Sequence, residues 1–328
     1  MRADTRIYGF KAGLKWYPEN LVLPSMPIEG GNIHYVDGDV SVGGGGQSWE
    51  DAFKTVAAAV AASSAGDVIY VAAKTMTATS SDPVSYTENL DITVPQLSII
   101  GVSRGLTQGG LPQLKVGATT TSPIINIAAP GVLIANLGIN GISATGGGIC
   151  IDDDGGTTSA VIGTSILGCH IKNCVGTTAT NALTGGGIYW TANGGGWQAR
   201  IAGNTFYKNV GDIILKGTSV SVPQDVIIEG NTFQGIASAV DVHIIFGGSG
   251  MLGFTINNNT FADVLPALGS ATTARYVSLV GTGIFSNNSF AGSYTTTGFG
   301  AAKVAAVIPT TVGIVHNYSD AGLIVREA

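Results

Sequence analysis

Carboxylates that hydrolyse a glycosidic bond must face one cleft in pairs, and calcium needs several oxygens that converge. Between positions 100 and 328 the acids are Asp152, Asp153, Asp154, Asp212, Asp225, Glu229, Asp241, Asp263, Asp320 and Glu327. Only Asp152–Asp154, in "IDDDGG", cluster. Adjacent acids in one turn point in different directions, so a solvated turn is the plainer reading. Asp212 and Asp241 lie 29 residues apart and could stack on one face, but no third acid shares their register. Lys172, Arg200, Lys208, Lys216 and Arg275 are scattered. His34, His170, His243 and His316 are not at metal spacing. Cys150, Cys169 and Cys174 are odd in number, and Cys169-x4-Cys174 is neither a zinc nor a redox spacing. They read as small buried hydrophobes. These residues assign no catalytic centre, no metal and no cofactor.

Two aromatic groups remain as binding candidates. Tyr189, Trp190 and Trp197 lie in "GGGIYWTANGGGWQAR", where glycines would let a loop stand out. A glycan platform and a subunit contact are both open there. The second group is N-terminal. Arg2, Arg6, Lys11 and Lys15 face one acid, Asp4, and are interleaved with Tyr8, Phe10, Trp16 and Tyr17. Pro18, Pro24 and Pro27 favour extended backbone after them. Exposed rings without a regular period need a partner surface, so residues 1–35 read as an anchoring arm. A strap packed on its own domain is the alternative.

The elements that would carry these groups are short. The chain has 328 residues, 11% charged and 45% hydrophobic, with 49 glycines. That is about twice the usual glycine share and under half the usual charge. A formal net charge of −6 excludes nucleic acid as the main partner, which would need a basic stripe. Apolar runs are brief, so no membrane span is expected, and the N-terminus lacks the pattern of a secretory signal. "GGGG" at 43–46 reads as a flexible turn. After it, "SWEDAFKTVAAAVAASSAGD" predicts a helix with Ser48 as N-cap and Asp51 as capping partner. Trp49, Phe53, Val56, Ala57 and Val60 would form its apolar face, and Gly66 would end it. Beyond it, apolar runs of strand length end in Gly, Asn, Asp or Pro.

One word recurs in these runs: "IAGNTFYKN", "IEGNTFQGI", "INNNTFADV" and "FSNNSFAGS". Asn204, Asn231, Asn259, Asn288 and Asn317 follow at intervals of 27, 28, 29 and 29 residues. Cys169 and Leu137 occupy the equivalent place upstream. A strand-and-turn period of this length indicates a solenoid. Coils stack about 4.8 Å apart. Each Asn would then hydrogen-bond to the next in a ladder at a left-handed corner, and Phe206, Phe233, Phe261 and Phe290 would stack inside. Tyr318 breaks the spacing at the end, and His170 and His316, beside ladder positions, read as packed or turn residues.

The "GQSWEDAFKTVAAAVAASSAGDVIYVAA" opening followed by Asn-ladder coils resembles the right-handed parallel β-helix proteins of the pectin-lyase-like superfamily. The likeness is greatest to phage virion β-helix proteins. It implies an all-β solenoid of about 8–9 coils. The parts would be an arm and turn at 1–46, a capping helix at 47–66 and the β-helix at 67–328. The superfamily includes polysaccharide lyases, glycoside hydrolases, phage tailspikes and non-catalytic virion proteins. The resemblance and the missing catalytic pattern imply a non-enzymatic virion protein, a capsid decoration or small spike assembled in the host cytoplasm. It would attach to a capsid or other virion protein through residues 1–35. A homotrimer is implied by resemblance, and a cell-surface glycan is a further possible partner. A tailspike-type lyase or hydrolase and a non-catalytic glycan-binding adhesin are the alternatives.

Overall fold

Alternation decides which side chains turn inward. In the strand Val68–Ala72, Ile69 and Val71 are fully buried while Tyr70 and Ala72 face out. The same alternation in later coils places one inward residue above another. The computed structural model describes residues 31–76, 82–102, 110–142, 145–151, 161–175, 185–190, 197–217, 222–236, 242–248, 250–263, 275–292, 310–319 and 322–324. They form a right-handed parallel β-helix with three sheets, of ten, seven and ten strands among the described residues. We call these sheets A, C and B. Sheet A runs from Ile33–Val36 to Val312–Val315, and sheet C from Leu90–Ile92 to Arg275–Ser278. Sheet B runs from Tyr86–Thr87 to Asn317–Ser319 and ends in an antiparallel strand, Gly322–Ile324.

Vertical columns make the core. In sheet A, Ile69, Ile99, Ile134, Ile166, Ile201, Ile228 and Ile256 stack in register and continue to Phe285, which pairs with the partly buried Ile314. The seven isoleucines and Phe285 are fully buried, worth about 2 kcal/mol of transfer free energy apiece. In sheet B the column passes from Ile139 and Ile171 to Phe206, Phe233, Phe261 and Phe290. The phenylalanine rings are nearly parallel, with centroids 5.0, 4.6 and 4.8 Å apart. Phe290 pairs with Ser319, where the aromatic column stops.

At the corner between sheets A and B, each asparagine amide is used completely. Asn204, Asn231, Asn259 and Asn288 each donate their backbone N–H and Nδ2 to the Oδ1 of the next asparagine at 2.9–3.0 Å. Each Nδ2 also donates to a carbonyl one coil back, as Asn231 does to Ile201. Asn317 is the last rung. At the upper end the Cys169 N–H donates to Asn204 Oδ1. The left-handed residue is not the ladder asparagine but the one before it: Gly203, Gly230, Asn258, Asn287 and His316 all have positive φ. That placement follows from the turn. The corner bend is made first, and the next residue, already extended, can turn its amide into the core.

The N-terminal cap is smaller than its sequence suggests. The helix, α1, spans only Val56–Ala62, with Thr55 as N-cap accepting from the Ala58 N–H. Its first free N–H groups, those of Val56 and Ala57, donate to the Glu88 carboxylate. Ser48 does accept from the Asp51 N–H, but this closes a turn. Gly44 and Gly46 donate to Ala52 and Asp51, and Phe53 donates to Tyr35. Backbone groups committed to these pairs cannot enter a helix, so Trp49 and Phe53 lie outside it. Gly46 has φ +77°, and a Cβ there would lie 2.2 Å from the Phe53 ring. The glycine run is therefore a packed turn. The β-helix also begins earlier than residue 67, because Ile33–Val36 pairs in parallel with Val68–Val71.

Candidate functional site

Sheet C carries an outer concavity that combines a ring with a carboxylate. Its outward column runs Asp91, Asn126, Cys150, Tyr189, Ile214 and Ile245. A cavity of about 420 Å³ lies over the upper part, lined by Asn89, Leu90, Asp91, Ser122, Pro123, Asn126, Cys150 and Tyr189. Asn126 Nδ2 donates to Asp91 Oδ1 at 3.0 Å. Asn89 is held by Thr119 and Pro123. Tyr189 donates its hydroxyl to the Gly146 carbonyl at 2.9 Å. One carboxylate, an amide and a hydroxyl-bearing serine can exchange hydrogen bonds with a polyol. Among the described residues of this lining Asp91 has no second carboxylate to act as acid or base with it.

Sequence reasoning missed the polar pairs that the coils bring together. Asp212 and His243 are in direct contact inside the solenoid, Oδ2 to Nδ1, and both are fully buried. Asn209 Nδ2 donates to the other Asp212 oxygen at 2.7 Å. Burial pushes the Asp212 carboxyl up, against the opposing pull of His243 and Asn209. The expected stacking partner, Asp241, lies outside the described residues. A second pair, His34 Nε2 and Asp67 Oδ2, lies at the capped end at 3.2 Å. Burial raises the Asp67 carboxyl, but the N–H groups of Ser64 and Asn32 and the His34 ring outweigh it and hold it low.

On the outer face of sheet B, Lys172 Nζ meets Asp82 Oδ2 at 2.6 Å, and both are largely covered. Ser85 reaches Gln113 beside them, so the segment around 82–85 is tied down over His170 and Lys172. Burial first, and then Lys172, lower His170 to about 4, with Asp82 opposing. The folded protein thus disfavours the charged imidazole. The stability this group contributes is complete above pH 6.5 and lost as pH falls through the window from 6.5 to 4. Its full size is about 3 kcal/mol. Urea titrations at several pH values should show His170→Gln losing less stability on acidification than the parent. Parallel pH profiles for the two proteins would overturn this assignment.

The residues singled out in the sequence are separated in space. Trp190 is fully buried in sheet C and points inward. Tyr189 is its outward neighbour and almost fully covered. Alternation turns Trp190 into the core, and Tyr189, though outward, is covered, so neither forms an exposed platform. Trp197 lies elsewhere, partly exposed at the corner leading into sheet A, bridged to Gln224. The arm residues Arg2, Arg6, Tyr8, Phe10, Lys11, Lys15, Trp16 and Tyr17 and the acids Asp152–Asp154 lie outside the described residues. All three cysteines are buried and outside any disulfide, and burial pushes the Cys169 thiol up to about 12. Among the described residues no three His, Cys, Asp or Glu converge as a metal site, and no helix is long and apolar enough to cross a membrane.

Comparison with known proteins adds to the fold. An alginate lyase from Paenibacillus sp. str. FPU-7 superposes with a TM-score of 0.50 at 16% identity, covering 83% of this chain and 95% of that one. A pectin methylesterase from Aspergillus niger gives 0.47 at 12% identity, covering 90% and 88%. The rice weevil pectin methylesterase gives 0.47 at 12%, covering 83% and 87%. The match to the alginate lyase structure agrees with the parallel β-helix fold. No protein-family model and no curated protein sequence matches it.

Proposed function

We propose that this chain is a non-enzymatic structural β-helix, a virion component of the capsid-decoration or small-spike kind, anchored through its N-terminal arm. The observation that carries this reading is the use made of its carboxylates. Glu88 caps α1. Asp67 ties His34 and two backbone N–H groups. Asp82 holds Lys172, Asp212 holds His243 and Asn209, and Glu229 holds Arg200. Each such acid joins one coil or segment to another, as a rigid scaffold requires.

The basic-aromatic composition of the arm supports an anchoring role. Because Ile33–Val36 belongs to sheet A, the test is a truncation that stops at residue 30. The shortened chain should fold but fail to co-purify with particles; undiminished attachment would refute the anchor. Capsular and pectic polysaccharides incubated with the full chain should keep their length. Reproducible depolymerisation would establish the lyase or hydrolase reading instead.

A second reading, a glycan-binding module, is favoured by the cavity over sheet C. There the Asp91–Asn126 pair, Ser122 and the edge of Tyr189 meet. Retention on a glycan surface that Asp91→Ala abolishes would support it.

A further inference from the structure

One strip of the outer face of sheet A is buried although its side chains point away from the core. Ile33, Val68, Ser98, Leu133 and Ser165 form one outward column. Ile100 and Ala135 stand beside it in the next, between Tyr70 and Leu167. Val68, Ser98, Ile100, Leu133 and Ala135 are only 5–9% exposed. The sheet itself does not hide Leu133, because its neighbours in the column are two small serines, Ser98 and Ser165. Farther down the same column, Ile227 lies between the longer Arg200 and Thr255 yet is 39% exposed, against 6% for Leu133. The strip has edges. Ile33 above it is 38% exposed, and Val102, at the far end of the Ser98–Val102 strand, is 44% exposed.

We infer that residues 21–28, "LVLPSMPI", lie along this strip as a strap. Position selects this segment. Gly31 is pressed against the coil that carries Val68, where a Cβ would lie 1.9 Å from the Gly66 carbonyl oxygen. The residues just before it therefore reach the strip first. Chemistry agrees: Leu21, Val22, Leu23, Met26 and Ile28 are apolar, and neither the segment nor the strip carries a charge. Pro24 and Pro27 favour extended backbone and have no N–H to satisfy over a face that offers side chains. Eight extended residues reach about 26 Å, and the three coil steps from Ile33 to Leu133 need only about 14 Å. A tethered segment is present at roughly millimolar effective concentration, ahead of a second copy. The strap does not rest on the anchoring role. It leaves residues 1–19, with Arg2, Arg6, Lys11 and Lys15, outside the strip. It also sets where they emerge: beside sheet A, at the level of Leu133.

Hydroxyl-radical footprinting read by mass spectrometry tests this on the purified protein. Leu133 should label several-fold faster in a chain that starts at residue 31 than in the parent. A chain that starts at residue 20 should protect Leu133 as the parent does. Ile227 should label alike in all three, and inward-facing Ile134 should stay protected, which reports folded coils. In the full chain, Leu21→Ser, Leu23→Ser, Met26→Ser and Ile28→Ser together should also raise Leu133 labelling; this variant decides the matter if removal of residues 1–30 exposes Ile134. Leu133 protection that survives the loss or the serine substitution of 21–28 overturns the strap. So does protection already lost when only residues 1–19 are removed. Labelling of the parent that rises on dilution would make a second copy the cover. Particle attachment by the chain that starts at residue 20 tests the anchor separately, since that chain keeps the strap.

Discussion

Asn231→Ala is expected to lower unfolding stability by about 4 kcal/mol while leaving the exposed surface as it was. Asn231 Oδ1 accepts from both the backbone N–H and Nδ2 of Asn204, and its own Nδ2 donates to Asn259 Oδ1 and to the Ile201 carbonyl. Alanine leaves the Asn204 N–H and the Ile201 carbonyl buried without these partners, at about 1–3 kcal/mol each. Asn231 is almost fully buried, so water cannot replace the amide without opening the corner. Asn231→Asp separates the two halves of the argument: it keeps the acceptor for Asn204 but loses the donors to Asn259 and Ile201. The control is Thr232→Ala, one residue on and facing out, which should change stability by under about 0.5 kcal/mol. Urea titration read by circular dichroism measures all three. Equal midpoints for Asn231→Ala and the parent would mean that the ladder contributes nothing net.

The ladder and the phenylalanine column were legible because a solenoid repeats its physics. One residue per coil, at nearly constant spacing, meets its own kind directly above and below, so a sequence period becomes a spatial column. What does not repeat leaves no such mark. Asp82 meets Lys172 across 90 residues, and nothing local to either residue announces the other. Asp212 and His243 are 31 residues apart, one coil, but neither type recurs at that register. Trp190 misled for a different reason. Its glycine neighbours suggested a projecting loop, yet Ile188, Tyr189 and Trp190 form a strand in register with Ile149, Cys150 and Ile151. That register sends the tryptophan inward. Ile33–Val36 was joined to the arm by its proline-rich prefix, and only its pairing with Val68–Val71 identifies it as the first strand. Period thus reveals the scaffold, whereas the sheet C cavity and the buried ion pairs depend on single residues placed by coils of unequal length.

Asp212→Ala is expected to cost about 3–5 kcal/mol, the range for removing one partner of a buried charge pair. The carboxylate contacts His243 Nδ1 and accepts from Asn209 Nδ2. His243 Nε2 has no hydrogen-bond partner among the described residues, so losing Asp212 leaves the buried imidazole without this contact at its other nitrogen too. The ring is wedged beside Phe233, Phe261 and Tyr276, with centroids 5.5, 5.8 and 6.1 Å away. It cannot swing out to water without breaking the aromatic column. Asn209 would retain its donation to the Ile171 carbonyl and its acceptance from the Cys174 N–H, so the damage centres on the histidine. His243→Leu alone strands the Asp212 carboxylate, which burial already pushes toward its neutral form. The double variant Asp212→Ala, His243→Leu removes both polar groups and should recover at least half of the combined loss, because apolar replacements for a buried pair are often neutral. Thermal melts of the four proteins close the cycle. Losses that simply add would show two independent residues rather than a pair. Since neither side chain reaches the surface, the cycle should alter stability and leave any binding by the folded protein unchanged, as expected for a pair that joins coils.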